Sequence, residues 1–223
     1  MEVLYEDNHI IAVNKKATEL VQGDQTGDET LTDRVKEYIA IKYKKKGNVY
    51  LGLVHRLDRP VSGVILFART SKALTRLNMM LRDRQVTKTY LAVVKERPPA
   101  ESGELFSYLK KNEKQNKSYS YDKQVSGSRE ARLGYRLLMR SERYYLLEID
   151  LQTGRHHQIR CQLAAAGCPV KGDLKYGFPR SNKDGSISLH AWKISFIHPV
   201  RKDEIEIKAP LPATDIWPKL NMY

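Results

Sequence analysis

Residues 55–63 read HRLDRPVSG and lead directly into VILFA at 64–68. The second stretch is an unbroken apolar run, which is typical of a strand buried on both faces. A charged loop before a core strand is unusual. Burying a carboxylate such as Asp58 costs free energy through lost hydration, unless a nearby cation compensates that cost. Arg56 and Arg59 are the nearest candidates for that cation. From these residues alone, a functional loop and an exposed turn with a chance Arg–Asp pair both remain open.

Hydrophobic periodicity on either side of this stretch predicts many strands and few helices. Two short apolar segments flank Asp7-Asn8 and predict a β-hairpin. Three helices are predicted. The first covers 30–46, the second begins at Ser71 as its N-cap, and the third covers 157–166 with Gly167 as a left-handed cap. The predicted strands are 88–95, 131–137, 144–151, 191–197 and 204–208. The polar segment 108–128 is predicted to be a basic loop, either in contact with phosphate or merely solvated. We therefore expect one α+β domain over residues 1–223, with a mainly antiparallel sheet.

Composition narrows the class of partner. The chain has 39 Lys and Arg against 26 Asp and Glu, a net charge of +13, and a pI near 9.6. Such a charge balance favours a polyanionic partner. Nucleic acid is the first candidate and an anionic membrane surface is the second. The sequence lacks an amphipathic helix with bulky apolar anchors and an apolar run of about 18 residues, so we expect no membrane partner. The acidic N-terminus and the absence of a CxxC pair predict a reducing cytoplasm.

Motif searches give no sign of a cofactor. Phosphate-binding and dinucleotide-binding glycine loops, zinc-protease and calcium-loop patterns and the serine hydrolase elbow are all missing from the sequence. His156 and His157 are adjacent, but successive residues on a helix point away from each other, so we predict no shared metal. Capping or core hydrogen bonds are the expected role of these histidines. Any catalysis would then depend on side chains alone, without metal or cofactor.

The loop at 55–63 resembles the HRLDxxTSG motif of the RluA-type RNA pseudouridine synthases. Four further stretches match that family in the same order, over about residues 1–210: LYED with IAVNK at 4–15, KTYLAVV at 88–94, the GRHHQIR segment through GDLKYG at 154–177, and LHA with HP at 189–199. The resemblance implies an α+β catalytic domain with a bent, mainly antiparallel sheet, flanking helices and a central cleft. Many relatives carry an S4-type RNA-binding domain before it. We expect none here, since the hairpin starts at residue 2.

The resemblance also implies an activity, the isomerisation of uridine to pseudouridine in ribosomal or transfer RNA without a cofactor. It assigns these roles: Asp58 as nucleophile, Arg160 as its basic partner, Tyr90 for stacking on uracil and removing the C5 proton, Arg56 for holding the extruded nucleotide, and Ile159 for lining the uracil pocket. The residues alone favour a different interpretation, in which Tyr90 is a sheet tyrosine that packs on the core and Ile159 belongs to the apolar face of a short helix. We expect RNA as partner, no obligate protein partner, and a monomer.

The chain departs from the family pattern in three places. It has Lys15-Lys16-Ala17-Thr18 where Lys-Pro-x-Gly is usual, Val61 where Thr is usual, and Gln162 in place of a second His. The first departure concerns the path of a loop, the second removes a hydroxyl from the catalytic loop, and the third is expected to alter a structural hydrogen bond. A non-catalytic RNA-binding or ribosome-assembly protein on the same fold is the alternative, against which the intact Asp58, Tyr90 and Arg160 argue.

Overall fold

The computed structural model describes residues 1–23 and 27–220. In chain order its elements are β1 (Glu2–Glu6), β2 (Ile10–Lys15), α1 (Leu31–Lys42), β3 (Gly52–Leu53), β4 (Ser62–Ala68), α2 (Ser71–Arg82), β5 (Thr87–Val94), β6 (Ser102–Asn112), β7 (Lys117–Tyr121), β8 (Arg129–Arg140), β9 (Tyr145–Leu151), α3 (Gln158–Ala165), β10 (Leu189–Ile197) and β11 (Glu204–Lys208). The chain folds into two compact units. The first comprises residues 1–86 and 191–211, and the second comprises 87–190 and the chain from 212 onwards.

The first unit is built on the strand order β1-β2-β4-β10, with β11 paired to β10 and β3 to β4. The β1–β2 hairpin is confirmed, and the Asp7 carboxylate closes its turn by accepting from the backbone N–H groups of His9 and Ile10 at 2.7 and 2.9 Å. All seven residues of β4 are buried, as the apolar run predicts. Helix α2 packs on β4 through Ala73 and Leu77, which are fully buried.

The second unit has the strand order β5-β9-β8-β6-β7, and these strands pair antiparallel. The prediction of a loop over 108–128 is wrong for residues 108–112 and 117–121, because β6 extends to Asn112 and β7 occupies Lys117–Tyr121. Only the turn between these strands and residues 122–128 lack strand structure. Side chains alternate along β6, with Ser107 and Leu109 buried and Lys110 exposed. The density of lysines on the outer face concealed this period-two pattern.

The helices agree with the predictions except at their ends. Helix α1 stops at Lys42, so Lys44, Lys45 and Lys46 follow the helix rather than forming its last turn. Thr70, not Ser71, is the N-cap of α2, and its hydroxyl accepts from the backbone N–H of Ala73 at 3.2 Å. Gly167 has φ +80° after α3, which confirms its left-handed cap. Within the described ranges, no helix combines the length and the apolar character that crossing a membrane requires.

Candidate active site

The loop at 55–63 presents Asp58 at the start of a tight turn. The backbone N–H of Val61 donates to the Asp58 carbonyl at 3.0 Å, and the Asp58 side chain is half-buried. Val61 is only 2% exposed. The residue that replaces the usual Thr is therefore an apolar side chain packed in the core. Burial of its methyl groups anchors the turn next to Asp58.

A buried lysine binds the backbone of this turn. The Lys15 side chain is fully buried, and its Nζ donates to the carbonyls of Lys16, Arg59 and Val61 at 3.1, 3.0 and 2.6 Å. Burial lowers the pKa of Lys15 to about 8, although the nearby charges of Glu19 and Asp58 oppose the shift. An ammonium group with three acceptors fixes the backbone on both sides of Pro60. Sequence reasoning missed this role of Lys15.

The signal for Lys15 was present in the strand pattern. Ile11, Val13 and Lys15 alternate along β2, and all three side chains are buried. A lysine at an inward position of a core strand needs hydrogen-bond acceptors, because an uncompensated buried charge is very costly. The nearest acceptors in the structure are backbone carbonyls, which no pattern of side chains reveals.

Three further contacts fix the two ends of the loop. The Nε2 atom of His55 accepts from the backbone N–H of Leu66 at 3.2 Å, which ties the loop to β4. Gly63 has φ +118°, and a Cβ there would lie 2.2 Å from the Ala191 carbonyl oxygen, so only glycine fits. Thr18 donates its backbone N–H to the Arg59 carbonyl at 2.8 Å and has φ +72°. The chain thus places threonine in the left-handed conformation, which favours glycine.

The two arginines of the loop lie at the surface. Arg56 is exposed. Arg59 donates from Nη2 to the Asp28 carboxylate at 3.0 Å and from Nε to the Thr18 carbonyl at 3.1 Å. Lys15 is thus a buried cation whose charge also acts on Asp58, beside the Arg56 and Arg59 that the sequence suggests.

In the second unit, Arg160 is held by a bidentate ion pair. Its Nε and Nη2 atoms donate to the two carboxylate oxygens of Asp173 at 2.6 and 2.9 Å, and both side chains are almost completely buried. The Tyr176 ring covers the guanidinium, with its centroid 5.2 Å from Cζ. Bidentate Arg–carboxylate pairs are strong and directional. Asp173 and Tyr176 thereby fix the direction in which Arg160 points, a role that sequence reasoning did not assign to them.

The two adjacent histidines form a stacked pair, contrary to the prediction that they point apart. Their ring centroids are 3.8 Å apart, because His157 precedes α3 in the left-handed conformation with φ +53°. The Nδ1 atom of His157 lies 3.1 Å from the Tyr176 hydroxyl, so a core hydrogen bond is confirmed while a side-chain cap is not. Burial, followed by the charge of Arg160, lowers the pKa of His157 to about 2. His157 is accordingly neutral at physiological pH.

Two other predicted residues also lie in the second unit. Tyr90 is in β5 opposite Ile149 and is 7% exposed, and Ile159 is in α3 and 4% exposed. Gln162, one turn after Ile159, contacts the Leu105 and Ala131 carbonyl oxygens through Nε2, each at 3.1 Å. The substituted glutamine therefore ties α3 to two strands of its own unit.

The described ranges 1–23 and 27–220 contain no group of three or more His, Cys, Asp or Glu side chains that could hold a metal ion. Cys161 and Cys168 are both buried, and burial raises the pKa of each thiol to about 11. Such thiols are almost entirely protonated at pH 7, which makes them poor nucleophiles. Of the predicted residues, Asp58 and Arg56 lie in the first unit, while Tyr90, Ile159 and Arg160 lie in the second.

Comparison with known proteins finds relatives that match nearly the whole chain. A family model described as RNA pseudouridylate synthase matches residues 9–165, which includes parts of both units. Ribosomal large subunit pseudouridine synthase D of Xylella fastidiosa is 34% identical over 230 residues, covering 95% of this chain and 66% of that protein. The Bacillus subtilis protein named uncharacterized RNA pseudouridine synthase YhcT is 32% identical over 217 residues, covering 96% and 69%.

A third relative, tRNA pseudouridine synthase C of Vibrio parahaemolyticus, is 29% identical over 245 residues, covering 99% of this chain and 93% of that protein. Two solved human structures share the fold at low sequence identity. RNA Pseudouridylate Synthase Domain Containing 4 superposes with a TM-score of 0.79 at 22% identity, covering 95% of this chain and 89% of that one. RNA Pseudouridylate Synthase Domain Containing 1 gives 0.75 at 21% identity, covering 99% and 86%. These matches confirm the predicted α+β fold class.

Proposed function

This chain belongs to the RNA pseudouridylate synthase family, whose reaction is the isomerisation of uridine to pseudouridine in RNA, and we propose how its residues perform that reaction. The N1–C1′ bond of the nucleotide breaks, the base turns, and a C5–C1′ bond forms. C5 gives up a proton and N1 gains one, so that no atom is added overall. A reaction of this kind needs no metal or cofactor, and we assign it to side chains alone.

Asp58 is the proposed nucleophile. A carboxylate that attacks carbon forms a covalent intermediate and divides one difficult step into two easier ones. The attack at the sugar C1′ and the attack on the base are both compatible with this role. Removal of the C2′ proton by Asp58 acting as a base is the competing formulation. The observation that carries the proposal is the turn itself: Asp58 begins a turn whose carbonyls at Arg59 and Val61 are held by the buried Lys15 ammonium. Such fixed geometry is what nucleophilic attack requires.

The remaining roles follow the family pattern. Arg160, aligned by Asp173, supplies the positive charge that keeps a reacting carboxylate ionised. Tyr90 stacks on uracil and assists removal of the C5 proton, and Ile159 contacts the base. The exposed Arg56 holds the RNA with the target nucleotide turned out of its helix, because a stacked base is inaccessible to chemistry.

The proposed substrate is a specific uridine in structured RNA, ribosomal or transfer. Two relatives are named for large-subunit ribosomal RNA and for transfer RNA. The net charge of +13 supplies affinity for any RNA, so charge does not distinguish these substrates. We further propose that the protein acts in the cytoplasm as a monomer without an obligate protein partner.

Pseudouridine mapping of total RNA, from cells with and without the gene, tests the proposal and identifies the uridine. In cells that express Asp58→Ala or Asp58→Asn instead, we expect the modification to be absent, while RNA binding stays within a few-fold of wild type. The matched control is Asp28→Asn, which removes an exposed carboxylate paired with Arg59 of the same loop. This control should keep most of the activity.

Turnover by purified Asp58→Ala would refute the nucleophile assignment. RNA that is unchanged by loss of the gene, together with tight RNA binding, would instead support a non-catalytic RNA-binding or assembly protein.

A further inference from the structure

The outer face of the β6–β7 hairpin carries exposed aromatic rings. Phe106, Tyr119 and Tyr121 are 45%, 38% and 38% exposed, and the half-buried Tyr108 lies directly opposite Tyr121 in the strand register. The rings of Phe106 and Tyr108 make an edge-to-face contact, with their centroids 5.5 Å apart. Successive residues of a strand point to opposite faces, so these four rings share one face of the sheet. Contiguous exposed apolar side chains mark candidate interaction surfaces.

Cations alternate with these rings on the same face. Lys110 lies opposite Tyr119, and Lys117 holds its Nζ 5.5 Å from the Tyr119 ring centroid and 5.1 Å from that of the buried Tyr176. Arg132 of the neighbouring strand β8 lies opposite Phe106, with its guanidinium 4.9 Å from the ring centroid. Arg132 also pairs with Glu104 at 3.1 Å, so part of its charge is neutralised. Residues 102–132 contain seven Lys and Arg and four Asp and Glu, a net charge of 7 − 4 = +3.

The opposite face of the same strands is closed by packing. Leu109, Ala131 and Cys161 are buried together there, and the Cys161 thiol donates to the Ser118 carbonyl at 3.3 Å. Through the register of β5, β9 and β8, Tyr90 shares this inner face with Ile149 and Tyr135. The ring-bearing face is therefore not the face that carries Tyr90. It is a separate surface on the outer strands of the second unit.

We propose that this face, formed by Phe106, Tyr108, Lys110, Lys117, Tyr119, Tyr121 and Arg132, is a stacking platform for unpaired nucleotides of the RNA that the protein binds. Exposed aromatic rings on a sheet bind single-stranded bases by stacking, and neighbouring cations bind the phosphates. The inference rests on the proposed function in its choice of RNA as partner. It adds a second binding surface, for nucleotides other than the uridine that reacts.

Charge selects RNA over a protein partner for this face. Tyrosine, phenylalanine and arginine also favour protein interfaces, but lysine is depleted from them. Lys110 and Lys117 lie among the rings, and the hairpin turn and the following loop add Lys114 and Lys123. Desolvating several lysines against a neutral partner is costly, whereas phosphate contacts release counterions and are favourable. A nucleic-acid strand satisfies both the rings and the cations.

The test is a binding titration that does not depend on turnover. The probe is a 5′-labelled oligouridylate of about 12 nucleotides, followed by fluorescence anisotropy, with an RNA duplex of the same length as second probe. For Tyr119→Ala/Tyr121→Ala we expect affinity for the oligouridylate to fall by about tenfold or more, with an unchanged salt slope. Tyr119→Phe/Tyr121→Phe, which keeps the rings, should bind within about twofold of wild type. Duplex affinity should stay the same for both variants.

Two controls separate stacking from general effects. Tyr50→Ala removes an exposed tyrosine of the first unit, 46% exposed, and should leave oligouridylate binding unchanged. Lys110→Gln/Lys117→Gln should flatten the salt dependence by about 0.7 in log–log slope for each phosphate of the single strand that the variant no longer binds. A matched Lys111→Gln should have less effect, since Lys111 is paired with Glu113 at 2.6 Å and lies on the other face of β6.

Wild-type affinity of a folded Tyr119→Ala/Tyr121→Ala protein for the oligouridylate would overturn the inference. So would sedimentation that shows the wild type to be dimeric and this variant monomeric, because the face would then be an interface between two copies. The same titration can be made with Asp58→Ala protein. If the ring variants lose binding but no pseudouridine is made by the wild type, only the proposed function fails. If pseudouridine is made and the ring variants bind normally, only the stacking platform fails.

Discussion

The Asp58 turn and the Arg160 segment are fixed in different ways. In the first, a lysine ammonium binds main-chain carbonyls, three of them within 3.1 Å of Lys15 Nζ. In the second, a guanidinium binds one particular side chain, the Asp173 carboxylate, and is covered by the Tyr176 ring. In each region one positively charged side chain is almost completely buried. They differ in whether the partner of that charge is backbone or side chain.

This difference explains which departures from the family pattern each region accepts. Every residue supplies a carbonyl, so side chains around Lys15 can change while its acceptors persist, as Val61 and Lys16 illustrate. The Arg160 pair has no such freedom, because only a carboxylate at position 173 neutralises the guanidinium in two-point geometry. We conclude that the acceptors of Lys15 persist when the side chains at positions 16 and 61 change, whereas the Arg160 pair requires a carboxylate at position 173.

The largest expected effect comes from breaking the side-chain pair. Asp173→Asn leaves the Arg160 charge buried without its counter-ion, and we expect a loss of about 3–5 kcal/mol in the free energy of unfolding. Urea denaturation measures it. Asp203→Asn, which removes one carboxylate partner of the exposed Arg201, is the matched control and should change stability little. Arg160→Met combined with Asp173→Asn should recover part of the loss, since the double variant has no unpaired charge. Equal stability of the Asp173→Asn and Asp203→Asn variants would show that the buried pair does not differ from a surface pair.

Removing the lysine should cost somewhat less. Lys15→Met keeps the length of the side chain but removes the ammonium donor from the Val61 carbonyl and leaves the Arg59 carbonyl with only the Thr18 N–H, and we expect a loss of about 2–4 kcal/mol. The same denaturation experiment on Lys16→Met, whose side chain is exposed, provides the control. A Lys15→Met protein as stable as wild type would mean that the turn is held by its side chains after all.

The pH dependence of stability sharpens the comparison, because Lys15 titrates in an accessible range. Its folded pKa is about 8, below the ordinary value of 10.5. Between these values the unfolded chain binds more protons than the folded one, so the Lys15 contribution to stability increases as pH rises from 8 to 10.5 and is constant below 8. The slope is at most about 1.4 kcal/mol per pH unit. Unfolding of wild type and Lys15→Met at several pH values gives the difference. A difference that does not change above pH 8 would contradict the lowered pKa.

The smallest effect concerns the backbone beside Lys15. Thr18 has φ +72°, a conformation that is strained for a β-branched residue and free for glycine. Thr18→Gly should therefore stabilise the protein by about 1 kcal/mol, measured by thermal and urea unfolding. Ala17→Gly is the neighbouring control and should destabilise slightly, because it only adds freedom to the unfolded chain. Stabilisation by both substitutions, or by neither, would show that Thr18 is not the strained position.

Local pattern was a good guide wherever one period dominated the segment. The apolar run at 64–68, the hairpin around Asp7 and the alternation at 131–137 all proved to be strands. It failed at 108–128, because the inward residues of β6 and β7 include serines, while the outward ones are lysines and tyrosines. Polar inward positions hide a strand that is stabilised by its neighbours in the sheet. The stacked histidines were missed for a related reason, since a single residue in the left-handed conformation redirects both rings.

The sequence by itself determined the fold class, the family and the candidate residues, because ordered motifs such as HRLDRPVSG and GRHHQIR keep their residue types and spacing in the linear chain. It also predicted a polyanionic partner, because that expectation depends on net charge and not on arrangement. Only the tertiary structure showed that Lys15 holds the Asp58 turn, that Asp173 and Tyr176 orient Arg160, and that the hairpin rings share one face. These contacts join atoms that are distant in sequence, and several use backbone groups that are identical in every residue. Their partners are therefore decided by packing and register, which no local pattern encodes.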